Sequence, residues 1–206
     1  MSGPPAPGDG EAGRGSPSRR RVLTHDEALV AARRRFLRTG DLVMTRLQAD
    51  LAVGRATLYR VVGSRDQLLG DVLHDLAIRT LRAVVTEVDR CGLTGVERLL
   101  AISREFEARV AGFAPLQRFL TSQPGIALPV LVTTAGRVHE RMVDAWTDLL
   151  REAAQQGELT LPEAPRETAY LYVRVGESLL YADVLAGARP DHTAADRLRR
   201  AVLGAG

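Results

Sequence analysis

The side chains with the clearest chemistry sit together in the stretch Gly54-Arg55-Ala56-Thr57-Leu58-Tyr59-Arg60. A guanidinium such as that of Arg55 can grip a guanine edge through paired bonds to O6 and N7. The hydroxyls of Thr57 and Tyr59 can donate to phosphate oxygens. Arg60 and Arg65 add positive charge whose effect on a polyanion falls with salt. If Gly54 opens a helix, Arg55, Ala56, Thr57, Tyr59 and Arg60 occupy its first turns and outward face. A helix N-terminus offers free N–H groups and partial positive charge, which suit an anion. Upstream, Thr45 stands at the mouth of a preceding short helix with Arg46 beside it. Thr45 could present its hydroxyl or its N–H to a phosphate, and Ser64 joins the same candidate surface. Two short helices set across a tight turn can place the second in the major groove of double-stranded DNA.

The elements that would hold these residues are legible from caps and periodicity. The sequence carries four Ser/Thr-x-x-Glu/Gln boxes: Thr24 with Glu27, Thr45 with Gln48, Ser64 with Gln67 and Thr94 with Glu97. In each, the hydroxyl can accept from an orphan backbone N–H while the longer side chain reaches back. An apolar pattern of helical period follows each box. A first helix is predicted over about 25–39, with Ala28, Leu29, Ala32 and Phe36 on one face. A second begins at Thr45 and a third covers about 55–62. A long fourth helix runs to about 89, and a fifth follows Thr94. From Pro129 to about Gln156 a single helix is predicted, about 40 Å long at the usual rise. The helix opened by Pro162 and Pro165 runs to Gly187, and a last short one follows Pro190-Asp191. No stretch alternates like a strand between turn signals, so the chain reads as all-α.

Composition narrows the function classes. The chain has 206 residues, 45% of them hydrophobic, which is enough for a real core. No apolar run approaches the roughly 20 residues of a membrane span. The first residues are polar and carry no signal-type apolar stretch. Cys91 is the lone cysteine, and the four histidines show no ligand spacing. A cytoplasmic location, no metal and no cofactor are the expectations. No nucleophile–base constellation is visible, so no enzymatic activity is expected; Glu105, Glu107 and Glu140 read as solvated faces. Residues 1–70 hold 12 arginines against 7 acids, whereas 71–206 hold 16 against 18. That asymmetry suits an N-terminal polyanion contact, although a solvated basic surface would carry the same charge. Residues 1–22, which end in Arg19-Arg20-Arg21-Val22, are rich in Gly, Pro and Ser. They are expected to be a disordered basic tail. The remaining division is 23–70 for the reader and 71–206 for the rest.

In the second half, Tyr170, Arg174, Glu177 and Tyr181 recur at helical spacing as one polar-aromatic stripe. Arg174 and Glu177 can pair at i, i+3, either at the wall of a ligand pocket or as a self-satisfied interface pair. Phe106, Phe113, Phe119, Met142 and Trp146 are candidate pocket walls or simple core. The Trp146 N–H needs a partner when buried. A helix apolar on two flanks, with small residues Gly176, Ala182 and Ala186, suits a two-fold four-helix interface, so a homodimer is expected. An ordinary monomer core is the other reading.

Leu47 to Leu69 resembles the DNA-binding module of the TetR family of bacterial transcription factors. The residues that carry the likeness are Val53, then Thr57-Leu58-Tyr59-Arg60, then Gly63-Ser64-Arg65-Asp66-Gln67-Leu68-Leu69. Four positions depart from that pattern: Ala52 stands at the turn glycine, Gly54 at the N-cap serine, Val62 at an aromatic and Arg65 at a lysine. The segments VGRATLYR-VVGSR and GESLLYADVLAG are similar to the QsdR-type subgroup, whose members govern degradation of lactone signals. The resemblance implies an all-α homodimeric regulator. It would act as a repressor, leaving a palindromic DNA operator when a small-molecule effector, lactone-like in that subgroup, binds its C-terminal half. The long fourth helix would carry the shift through His74 to Leu81. A helical protein-interaction module or a small-molecule-binding protein, in either case without DNA binding, is the alternative.

Overall fold

The computed structural model describes residue 3 and residues 22–205. The expected tail, including Arg19-Arg20-Arg21, therefore lies outside the described residues apart from Gly3 and Val22. Among the described residues every regular element is helical.

Three helices form the N-terminal unit: α1 (His25–Thr39), α2 (Met44–Leu51) and α3 (Arg55–Val62). The Thr24–Glu27 capping box closes the start of α1, and Gly40 ends it at φ 70°. Only a residue without Cβ adopts that angle freely. Helix α2 starts one residue before the Thr45 expected to cap it. Val43 occupies the cap without a side-chain bond, so the Thr45–Gln48 box does not form. Ala28, Ala32, Phe36, Leu47 and Leu58 are fully buried between the three helices. Burying each large side chain contributes about 1.5–3 kcal/mol. Arg35, itself buried, donates from Nε and Nη2 to Asp50 at 3.1 and 2.5 Å and so fixes α1 against α2.

The long helix α4 (Arg65–Asp89) opens with the Ser64–Gln67 capping box. Its Leu68 and Leu69 complete the buried core beneath α1 and α3. The expected boundary at residue 70 falls inside this helix. The remainder comprises α5 (Gly95–Ala111), α6 (Ala114–Ser122), α7 (Pro124–Val132), α8 (Val138–Gln155), α9 (Pro165–Leu180), α10 (Ala182–Ala186) and α11 (His192–Val202).

Three sequence expectations need correction here. The single helix from Pro129 to Gln156 is two helices, α7 and α8. Thr133 leaves the helical region at φ −117°, ψ −176°, and Arg137 takes a left-handed φ of 58°. At the break two backbone segments approach closely: a Cβ on Gly70 would lie 2.0 Å from the Gly136 carbonyl oxygen. The α7–α8 turn is thus seated directly on α4, which periodicity cannot foresee. The helix from Pro165 stops at Tyr181, whose φ of −115° separates α9 from α10. The Thr94 hydroxyl makes no cap bond. Glu158, from the turn after α8, accepts from the Gly95 N–H at 3.0 Å instead.

Candidate nucleic-acid interface and cavity

On the first helices, Thr45, Arg46, Arg55, Ala56, Arg60 and Ser64 are exposed, while Thr57 and Tyr59 are half-buried. The Arg55 guanidinium lies over the Tyr59 ring, 5.4 Å from its centre. That contact holds a long side chain near one orientation at the start of α3. Arg46, Arg55 and Arg60 have no ion pair among the described residues. Arg65 differs. Its Nε donates to the Leu42 carbonyl at 2.9 Å, and its Nη2 to Asp41 at 2.9 Å and Gln123 at 3.0 Å. Burial would raise the Asp41 carboxyl. Hydrogen bonds from Gln123, the Leu42 N–H and Arg65 outweigh it and hold the group below its usual value. Arg65 therefore braces the start of α4 against the loop after α1. The turn between α2 and α3 places Ala52 at φ 52°, ψ 44°. A left-handed alanine costs about 1–2 kcal/mol, so the glycine departure is borne as strain.

A cavity of about 450 Å³ opens between α4, α5, α8, α9 and α11. That lies within the usual range for small-molecule sites. Phe106, Phe113, Met142, Trp146, Glu177 and Tyr181 line it. Three other residues weighed as walls lie elsewhere. Phe119 packs edge-on against Phe36, centroids 5.9 Å apart, and joins α6 to α1. Tyr170 is exposed and meets His139 edge-on at 5.5 Å. Arg174 lies over the Tyr170 ring and donates to Glu177 Oε2 at 2.8 Å and to the Val132 carbonyl at 3.2 Å. The Arg174–Glu177 pair therefore forms, with only Glu177 at the cavity. His139 Nδ1 shares Glu177 Oε1 at 2.8 Å.

Sequence reading missed the opposite wall. Glu107, read there as solvated, is 4% exposed and paired with Arg199, which is 2% exposed. Arg199 also lies over the Tyr172 ring at 5.2 Å, and Tyr172 packs on Trp146 at 4.8 Å. A helical period marks Glu107 as outward only if nothing covers α5, and α11 covers it. A Cβ at Gly176 would come 3.0 Å from Arg199 Nη2 and 3.1 Å from Glu107 Oε1, so this glycine makes room for the pair. Burial pushes the Glu107 carboxyl up from its usual value, and Arg199 pulls it back. Burial likewise pushes the Tyr172 phenol up to about 12, against a hydrogen bond with Ser103 at 2.8 Å.

Helix α4 touches both sites. Leu73, Leu76 and Ala77 line the cavity, one to two turns beyond Leu68 and Leu69. Asp71 accepts from Arg141 of α8 at 2.5 Å and pairs with His25 of α1 at 3.0 Å. Asp75 accepts from Arg33 of α1 at 2.6 Å and from Arg79 at 2.9 Å. Burial opposes it, but those two guanidinium bonds hold the Asp75 carboxyl below its usual value. Burial first, and the Arg141 charge second, lower the His74 imidazole.

Among the described residues no helix is long and apolar enough to cross a membrane, and no cluster of metal-ligating side chains occurs. No curated protein matches the chain. The chain is similar to the solved structure of the R. erythropolis transcriptional repressor QsdR from the TetR family, at 27% sequence identity and a TM-score of 0.81, over 87% of this chain and 94% of that one. Residues 94–204 match the model of the tetracyclin repressor-like C-terminal domain. That match spans more than half the chain, and the chain belongs to the TetR family of transcriptional regulators.

Proposed function

We propose that this chain is a ligand-responsive, DNA-binding transcriptional repressor that works as a homodimer. The observation that carries the reading is the surface of α2 and α3. Arg46, Arg55 and Arg60 stand there without ion pairs among the described residues, beside Thr45 and the N-terminus of α3. In the same half, Arg33, Arg35 and Arg65 are all paired internally. Exposed unpaired guanidinium groups release counterions from DNA when they meet phosphate. Arg55 is assigned to a base edge, and Thr45, Thr57, Tyr59 and Arg60 to the phosphates flanking it. Two copies related by a two-fold axis would set their α3 helices one DNA turn apart, about 34–36 Å, which calls for a palindromic operator.

The cavity is assigned to the effector. An occupant that fits best when α4 and α8 are differently spaced moves the dimer toward a form whose readers no longer match that distance. Asp71 and Asp75 are the contacts through which α4 pulls on α1. The chain is divided in function near residue 70, with α4 belonging to both parts.

The test is fluorescence anisotropy with a palindromic fragment from the promoter region of the chain's own gene. Specific binding with a log–log salt slope of several units is expected, at about 0.9 per phosphate neutralised. Binding no tighter than to a scrambled duplex would remove the reading.

A further inference from the structure

Away from the reader surface and the cavity, titratable side chains gather where α1, α4 and α8 meet. Asp71 of α4 serves both neighbours at once: Oδ1 accepts from Arg141 of α8 at 2.5 Å, and Oδ2 pairs with His25 of α1 at 3.0 Å. Asp75 is committed to Arg33 of α1 and to Arg79. His74 shares their helix, makes no hydrogen bond among the described residues, and has its Nδ1 buried. Helical side chains lean toward the preceding turn. His74 therefore leans toward Asp71 and toward Gly70, on which the α7–α8 turn rests. Arg141 and Arg82 are the cations that act on the ring, and Asp71 and Asp75 the anions. The other charged groups near the start of α8 are engaged elsewhere: Arg137 with Glu140, and His139 with Glu177. Helix α7 carries no charged side chain. From α5, Arg109 and Glu105 meet α4 at Glu87, about three and a half turns beyond His74. Arg55 and Arg60 of α3 lie on the exposed reader surface.

We propose that His74 is a proton sensor through which acidification weakens operator binding: its imidazolium draws Asp71 from Arg141 and His25 and so loosens α4 from α8 and α1 together. The effect on the operator rests on the DNA-binding reading above, whereas the change at the junction does not. The neutral ring costs least with its lone pair at the buried Nδ1 and its N–H at Nε2. A proton taken up from solvent adds a second N–H at Nδ1, where no acceptor stands. A buried donor left unpaired costs more than a formed bond returns. Asp71, one turn back on the same face, is the acceptor that can move. Asp75 is the adjacent residue, and two guanidinium groups hold it. Each Asp71 oxygen already holds one donor, so turning toward the imidazolium strains both contacts. Burial, and then the Arg141 charge, resist the proton, so uptake falls below the ordinary 6.5. Added positive charge by itself strengthens contact with DNA. A weakening at low pH therefore has the sign opposite to that of simple titration.

Two measurements on the full chain test this at fixed ionic strength. Without DNA, emission is followed from pH 8 to pH 5. Trp146, the chain's sole tryptophan, lies on α8 five residues after Arg141. Its emission should change in a one-proton step below pH 6.5. With the promoter-region palindrome, anisotropy should show affinity falling about fivefold to tenfold from pH 7.5 to pH 5.5, the net effect of one hydrogen bond. His74→Gln takes up no proton there. It should remove both changes while binding the duplex at pH 7.5 as the wild type does. Arg141→Gln removes a competing charge and frees Asp71, so it should move the emission step to higher pH. A merely structural His74 would not produce that shift, and the variant gives a reading even if His74→Gln folds poorly. No step in the wild type, a step retained in His74→Gln, an unmoved step in Arg141→Gln, or an operator affinity level across the step overturns the proposal. A step that disappears in His25→Gln but persists in His74→Gln overturns it in favour of His25. If the duplex binds no better than a scrambled one at any pH, the DNA-binding reading falls, and the emission step alone still decides the sensor.

Discussion

Gly70→Ala pits two effects of known size against each other. In a helix interior, alanine is favoured over glycine by about 1 kcal/mol, so propensity alone predicts a more stable protein. The surroundings of Gly70 predict the reverse. The new Cβ would meet the Gly136 carbonyl oxygen at 2.0 Å and the Gly136 carbonyl carbon and Cα at 2.6 Å. All three are backbone atoms, so no rotamer can relieve the contact. The α7–α8 turn must lift from α4, and that turn already holds Arg137 at φ 58°. Overpacking of this kind costs about 1–3 kcal/mol, and moving a strained turn places it at the upper end. The net loss is about 1–2 kcal/mol. For a chain of this size each kcal/mol moves Tm by about 2–4 °C, giving a fall of about 2–8 °C. Gly125→Ala is the matched control: it lies in the first turn of α7 with nothing within 4 Å of its added Cβ. It should leave Tm unchanged or raise it. Thermal melts at one fixed protein concentration decide, since any self-association makes Tm depend on concentration. A Gly70→Ala Tm equal to or above that of Gly125→Ala would refute the seating of the turn on α4.

Three further outcomes are expected. Arg55→Ala should relax sequence preference at one operator position by about 1–3 kcal/mol, whereas Tyr59→Phe should weaken all duplexes alike; competition binding against single-base operator variants separates them. Glu107→Gln leaves the Arg199 charge buried without its partner and should cost about 3–5 kcal/mol, read as a lower Tm, with most of it restored in Glu107→Leu/Arg199→Met. For pH, His74 has a folded value below its ordinary 6.5, so its contribution is full above pH 6.5 and is lost as pH falls through the folded value. Asp41 and Asp75 are held below 3.8, so theirs is full above that pH and is lost only as pH falls further. Calorimetry from pH 8 to pH 3 should show two declines, with the first reduced in His74→Gln. A first decline unchanged in that variant would acquit His74.

The reader was the most legible part of the sequence because its signals are local. Caps at Thr24 and Ser64, the stop at Gly40 and the apolar spacing of Leu47 and Leu58 each need only a few neighbouring residues. The cavity was half legible. Phe106, Met142 and Trp146 could be placed on inward faces by period, but Glu107 and Arg199 are 92 residues apart, and neither shows its burial without the other. The α7–α8 break was hidden for the same reason, since the turn rests on Gly70, which is remote in sequence. Arg65 shows a second partner set that the sequence does not reveal. A basic residue beside a recognition helix invites a phosphate role, while Asp41 and Gln123 take up its guanidinium.

Helix α4 supplies wall to the reader's core through Leu68 and Leu69 and wall to the cavity through Leu73, Leu76 and Ala77. Such a shared wall limits how the protein can be altered. A new sensor specificity drawn from α4 would disturb the reader, whereas Phe106, Val110 and Met142 can be varied from α5 and α8 alone. Libraries restricted to those outer walls should yield new responsiveness with operator choice kept. Libraries on α4 should lose operator binding in proportion to the volume they change.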